Sequence, residues 1–174
     1  MDWSKAILQV IDLRSFSSLW YWVLVAISWS TVTNWTLGVP SDMIHRARTK
    51  GGQADIDLID LVRISVNRQQ NVAAIAGLWL LGLVCFVLTG LAVLGFFYRI
   101  ELAQAVFLLV FPLCFIGGMV LSTGRLIVAT GPQGPQLCTI LLRQRLWTQI
   151  IGMISIFITA LYGMFHNLAV VRWL

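Results

Sequence analysis

The chain has 174 residues, of which 59% are hydrophobic and 11% charged, with a formal net charge of +5; soluble domains carry about 45–50% apolar and about 25% charged residues. A soluble fold of this size cannot hide that much apolar surface, and a mean hydropathy of +0.86 assigns most of it to lipid. The three cysteines, Cys85, Cys114 and Cys138, show no CxxC spacing, so neither a zinc site nor a disulfide framework is indicated.

Residues 3–15 place Trp3, Ile7, Val10 and Ile11 on one helical face, with Lys5, Gln9 and Asp12 elsewhere. This pattern predicts an amphipathic helix on the membrane surface. Charge-free runs over 15–41, 69–98, 102–124 and 146–171 are each long enough for a spanning helix, which needs about 20 mostly apolar residues. They predict transmembrane helices over 17–38, 72–97, 102–125 and 147–170, the first retained rather than cleaved. The fold class is therefore all-α: a polytopic membrane protein whose four spans form two antiparallel hairpins, with interfacial helices added.

The loop over 39–71 opens with the basic cluster "HRARTK", breaks at Gly51 and Gly52, and resumes with helical spacing. Leu58, Ile59, Leu61, Val62 and Val66 gather on one side, with Asp60 and Arg63 opposite, and Asp55 or Asp57 suits the positive start of the helix. A second interfacial helix, usable for partner docking, is predicted here. Spans two and three are joined by so few residues that they are antiparallel neighbours. Pro112 is expected to kink span three, its freed carbonyl satisfied by a neighbouring helix. A fifth charge-free run, 126–142, is interrupted by Gly131, Pro132, Gly134 and Pro135 and reads as a rigid turn within a loop over 126–146.

The two loops carry Arg46, Arg48, Lys50, Arg63, Arg68, Arg125, Arg143 and Arg145, against Lys5, Arg14, Arg99 and Arg172 on the side of the termini. This bias predicts cytoplasmic loops and external, periplasmic termini, with dual topology as the alternative. Arg46, Arg48, Lys50, Arg143 and Arg145 are the expected topology determinants and contacts for phospholipid headgroups.

Small and weakly polar residues mark where membrane helices pack. Three stripes at four-residue spacing stand out: Ala26, Ser30 and Asn34 in span one; Cys114, Gly118 and Ser122 in span three; Ser155, Thr159, Gly163 and Asn167 in span four. Packing, within the bundle or with a partner, is their expected role. Trp29 and Trp79 fall inside spans and are read as packing residues, a lipid, quinone or pigment being the other use for them. No cofactor and no metal is called for.

Catalytic signals are weak. No acidic or basic residue lies near the middle of a span, where one costs roughly 2.5–3.5 kcal/mol or more and is kept for chemistry. The histidines, His45 and His166, are expected on opposite membrane faces. Ser41, Asp42 and His45 form a short polar run of the kind that caps helices. "GPQGPQ" lacks the Lys and Ser/Thr of a phosphate-binding loop.

The segments "IDLRSFSSLWYW" (11–22) and "LWLLGLVCFVLTGLAVLGF" (78–96) resemble a group of small four-span bacterial inner-membrane proteins. The resemblance implies a multi-pass protein of the bacterial inner membrane. Members of that group are described as parts of a sulfur-mobilising machinery, but no functional residues carry over to this chain, which has no cysteine site and no ATP motif. The expectation is a non-catalytic accessory subunit or assembly factor of a larger membrane complex, of the respiratory or photosynthetic kind. Its partners would be other integral membrane subunits and phospholipids, with no nucleic acid and no soluble substrate. The alternative is a homo-oligomeric channel or permease for a small neutral solute, with the Ser155–Asn167 stripe facing the pore.

Overall fold

The computed structural model describes Phe16 and residues 18–171; the predicted interfacial helix over 3–15 lies outside the described residues. Helix α1 spans Leu19–Asn34 and is followed by two-residue strands β1 (Trp35–Thr36) and β2 (Val39–Pro40). Next come α2 (Ser41–Lys50), α3 (Gln53–Ala92, ending in a π-helical turn, Val93–Phe97), α4 (Glu101–Thr130) and α5 (Pro135–Val171).

The fold is all-α apart from the small hairpin. Three helices are long and apolar enough to cross a membrane: Gln53–Phe97, Glu101–Thr130 and Pro135–His166. At 16 residues, α1 rises about 24 Å, less than the ~30 Å of a bilayer core. It ends at Asn34, short of the predicted boundary at 38, because β1 and β2 pair antiparallel and turn the chain back. The turn residues Leu37 and Gly38 both have positive φ, 55° and 78°, as the favoured two-residue hairpin turn requires. Leucine is an unusual occupant of that conformation. Its side chain, 1% exposed, is anchored in a hydrophobic core that compensates.

The predicted loops are largely helical. The amphipathic segment of 39–71 is not a separate interfacial helix, because α3 runs unbroken for 40 residues from Gln53. It rises about 60 Å, twice the hydrocarbon thickness, so its first turns stand outside the bilayer. The loop over 126–146 is likewise shorter than expected: α4 continues to Thr130 and α5 starts at Pro135. Proline is suited to a helix start, since its missing N–H has no acceptor there.

The projecting ends pack together. Leu58, Val62 and Val66 on α3 meet Leu37 and Val39 of the hairpin, Ile44 and Ala47 of α2, Ile127 of α4, and Leu137, Cys138 and Leu141 of α5. We call this unit the cap. Farther along, a second, smaller core joins Val25 and Trp29 of α1 to Leu109 and Ile116 of α4. Three close approaches fix antiparallel neighbours: Gly95 with Gln104 (α3 and α4), Thr123 with Gln144 (α4 and α5), and Trp29 with Gly152 (α1 and α5). Thus α1 rests on α4 and α5, and α3 flanks α4. Helices α3, α4 and α5 form a meander with α1 packed against α4 and α5, an arrangement that does not confirm the two expected hairpins.

Pro112 lies inside α4 and removes the donor to the Leu108 carbonyl. The Ser155 hydroxyl of α5 donates to that oxygen at 3.5 Å, a long bond at the place where the helix lacks its own.

Candidate functional sites: a basic cap and uncovered helix faces

Helix α2 is amphipathic, with Ile44 and Ala47 buried and Arg46, Arg48 and Lys50 exposed. Because the cap gathers α2, the start of α3, the end of α4 and the start of α5, it also gathers Arg63, Arg68, Arg125, Arg143 and Arg145. The loop cations that sequence places on one side therefore occupy one end of the molecule. Arg46 pairs with Asp42 at 3.6 Å on the exposed face of α2, while His45 is solvent-facing. Asp42 thus serves Arg46, and Ser41, Asp42 and His45 form no hydrogen-bonded triad among the described contacts.

A cavity of about 570 Å³ opens between α2, the start of α3 and the first turns of α5. Arg48, Asp55 and Arg143 supply its charges, and Cys138, Leu142 and Leu146 part of its wall. Cys138 is 4% exposed. Burial pushes its thiol pKa up, the Asp55 carboxylate adds to the rise, and Arg48 partly opposes it. A thiol held protonated is a poor nucleophile.

Where the cap meets the apolar region, four side chains form a polar layer. Gln70 donates to the Leu121 carbonyl at 3.1 Å, and Gly124 leaves room for it: a Cβ there would sit 2.9 Å from the Gln70 nitrogen. Thr123 donates to the Gln144 side chain at 2.7 Å, and Thr148 to the Gln144 carbonyl at 3.1 Å. Near the other end, Gln104, 4% exposed, donates to the Gly95 carbonyl at 2.7 Å. That carbonyl sits in the π turn, and Gly95 is needed because a Cβ would lie 3.0 Å from the Gln104 backbone nitrogen. Sequence reasoning passed over these glutamines. An uncharged amide inside an apolar run is the signal that could have found them.

At the end remote from the cap, Glu101 accepts the Phe16 backbone N–H at 2.9 Å, and its other oxygen lies 3.9 Å from His166 Nδ1. Phe16 is 3% exposed and packs edge-on against Tyr21 and Tyr162. His166 belongs to this cluster and His45 to the cap, so the two imidazoles occupy opposite ends.

The three small-residue stripes have different surroundings. Ser155, Thr159 and Gly163 are buried; a Cβ on Gly163 would already lie 3.2 Å from Phe16. The side chain of Asn167 lies outside the described residues. By contrast Ala26, Ser30 and Asn34 of α1 are exposed, as are Gly118 and Ser122 of α4, with Cys114 half-buried. Phe111 and Phe115 flank the α4 stripe and are also exposed. No heavy atom of a neighbouring element lies within 4 Å of where a Gly118 Cβ would be. Trp29 is buried against Gly152, whereas Trp79 projects outward at 83% exposure.

Among the described residues, no three of the His, Cys, Asp and Glu side chains group closely enough to hold a metal ion. Comparison with known proteins finds no family model, no curated protein and no solved structure that matches this chain.

Proposed function

We propose that the chain is a non-catalytic subunit or assembly factor of a larger complex in the bacterial inner membrane. In this reading α1 crosses the bilayer as a fourth, short span, the cap faces the cytoplasm and both termini face the periplasm. The basic cap supports that orientation, since cationic residues are retained on the cytoplasmic side. The carrying observation is the uncovered state of the α1 and α4 stripes. Small residues let a second helix approach closely in lipid, where packing rather than hydrophobicity drives association. On α5 the chain's own Phe16 and α4 use that opportunity; on α1 and α4 it is left for another protein. The same burial of Ser155, Thr159 and Gly163 leaves them no pore to line, which weighs against a channel built on that stripe.

Gentle solubilisation of native membranes tests the proposal, with the wild type and Gly118→Leu compared. Wild-type protein is expected to co-purify with a stoichiometric set of foreign membrane subunits, and Gly118→Leu to lose them while keeping its helicity and thermal midpoint. Recovery of a self-only oligomer would overturn the reading, as would an unchanged set of subunits with the variant.

A further inference from the structure

We propose that the cavity between α2 and α5 is a binding site for a phospholipid phosphodiester, with Arg48 and Arg143 as its phosphate-binding groups. Three independent features converge there. First, the two guanidiniums come from different helices, and among the described residues neither has a carboxylate within ion-pair distance. Guanidinium groups bind phosphate oxygens through paired, charge-assisted N–H donors.

Second, the charge of the site selects a class of anion. Asp55 is the carboxylate in the lining, so two cations against one anion leave a single positive charge. A phosphodiester carries one negative charge, whereas a phosphate monoester carries nearly two at neutral pH. The carboxylate opposes binding in either case, but it leaves the diester matched and the dianion under-compensated.

Third, the wall leads from cap to bilayer. Pro135, Cys138, Thr139, Leu142, Arg143 and Leu146 all line the cavity from α5, and their three- and four-residue spacing puts them along one helical face. From Pro135 to Leu146 that face rises about 16 Å. It becomes apolar toward Leu146 and is followed by Trp147, 47% exposed, a residue type enriched at the membrane interface. A headgroup held by the arginines would thus send its acyl chains past Leu142 and Leu146 into the bilayer. A soluble phosphate would use only the polar end. The site does not depend on the identity of any protein partner.

Native mass spectrometry of the full chain in detergent tests this, titrating dioleoyl phosphatidylglycerol, dioleoylglycerol and inorganic phosphate separately. One saturable phosphatidylglycerol adduct is expected, with none from dioleoylglycerol and no displacement by millimolar phosphate. Arg48→Gln combined with Arg143→Gln should weaken the adduct about tenfold or more. Arg63→Gln combined with Arg68→Gln removes the same charge outside the cavity and should leave it within about twofold. Thr139→Phe keeps every charge but fills the cavity, and should also abolish the adduct; circular dichroism checks that each variant folds. Equal loss in both arginine pairs would show diffuse attraction and overturn the site. Equal binding of dioleoylglycerol would overturn phosphate recognition, and displacement by inorganic phosphate would overturn the lipid assignment.

Discussion

The two halves of α3 have the same backbone and opposite surroundings. From Gln53 to Gln70 the helix buries Leu58, Val62 and Val66 in a core shared with the hairpin and three other helices. Beyond it, Ile75, Leu78 and Trp79 are 85%, 84% and 83% exposed. The first half obeys the rule for water, in which apolar side chains gather at four-residue spacing and charges cover the rest. The second half is apolar all round, because lipid competes on equal terms with any protein neighbour. Burial therefore measures stabilisation in the cap. In the span it measures only which neighbour was chosen.

Substitutions can break this contrast, and the largest effect belongs to the cap. Leu58, 1% exposed, is expected to cost about 2–5 kcal/mol when replaced by alanine, the range for a truncated core leucine. Ile75→Ala should stay within about 0.5 kcal/mol. Thermal unfolding in one detergent compares the two, and equal losses would mean that both halves of α3 sit in the same solvent. Next comes the α1–α5 contact. A Cβ on Gly152 would meet the Trp29 ring at 2.8 Å, so Gly152→Leu should destabilise by about 1–3 kcal/mol through overpacking. Gly118→Leu, on an open face, should not.

Gln104→Leu removes the donor to the Gly95 carbonyl, and about 1–3 kcal/mol is expected for a buried acceptor left unpaired. A midpoint unchanged in that variant would mean that the π turn finds another donor. The smallest effects are electrostatic. Exposed Asp42 and Arg46 are paired across one turn, and Asp42→Asn should change stability by no more than about 0.5 kcal/mol.

The Cys138 thiol supplies a pH test of the cap interior. Its pKa lies above the ordinary 9.0, so the neutral thiol is favoured by folding. That contribution is fully present below 9.0 and is lost only as pH rises through the raised folded value. Maleimide labelling of Cys138 should accordingly stay slow at pH 8, and Asp55→Asn should speed it by lowering the pKa. Faster labelling at neutral pH than an unfolded control would contradict the buried placement.

Much of this architecture was legible from charge placement. Runs without charge located three helices that match membrane dimensions, and the spacing of Leu58, Val62 and Val66 marked an apolar face that was expected on the membrane surface but lies in the core of the cap. The turn at Gly131–Gly134 could be read from glycine and proline, but its extent could not. Loop boundaries were drawn where charges reappear, and helices do not end at charges. Arg125, Arg143 and Arg145 sit on helices that simply leave the membrane. The end of α1 was misplaced because Trp35–Pro40, like a span, carries no charge; its pairing as a hairpin is what ends the helix.

Sequence alone located the three long runs whose solvent is lipid, because hydropathy and charge are properties of the residues themselves. It also indicated that the loop cations share one end, since helices too long for the bilayer project on the side where those charges lie. Tertiary structure decided which helices are neighbours, which small-residue stripes are covered and which charges face one cavity. In lipid those choices rest on shape and on single hydrogen bonds such as Ser155 to the Leu108 carbonyl. Shape is shared between residues distant in the chain, and no local pattern records it.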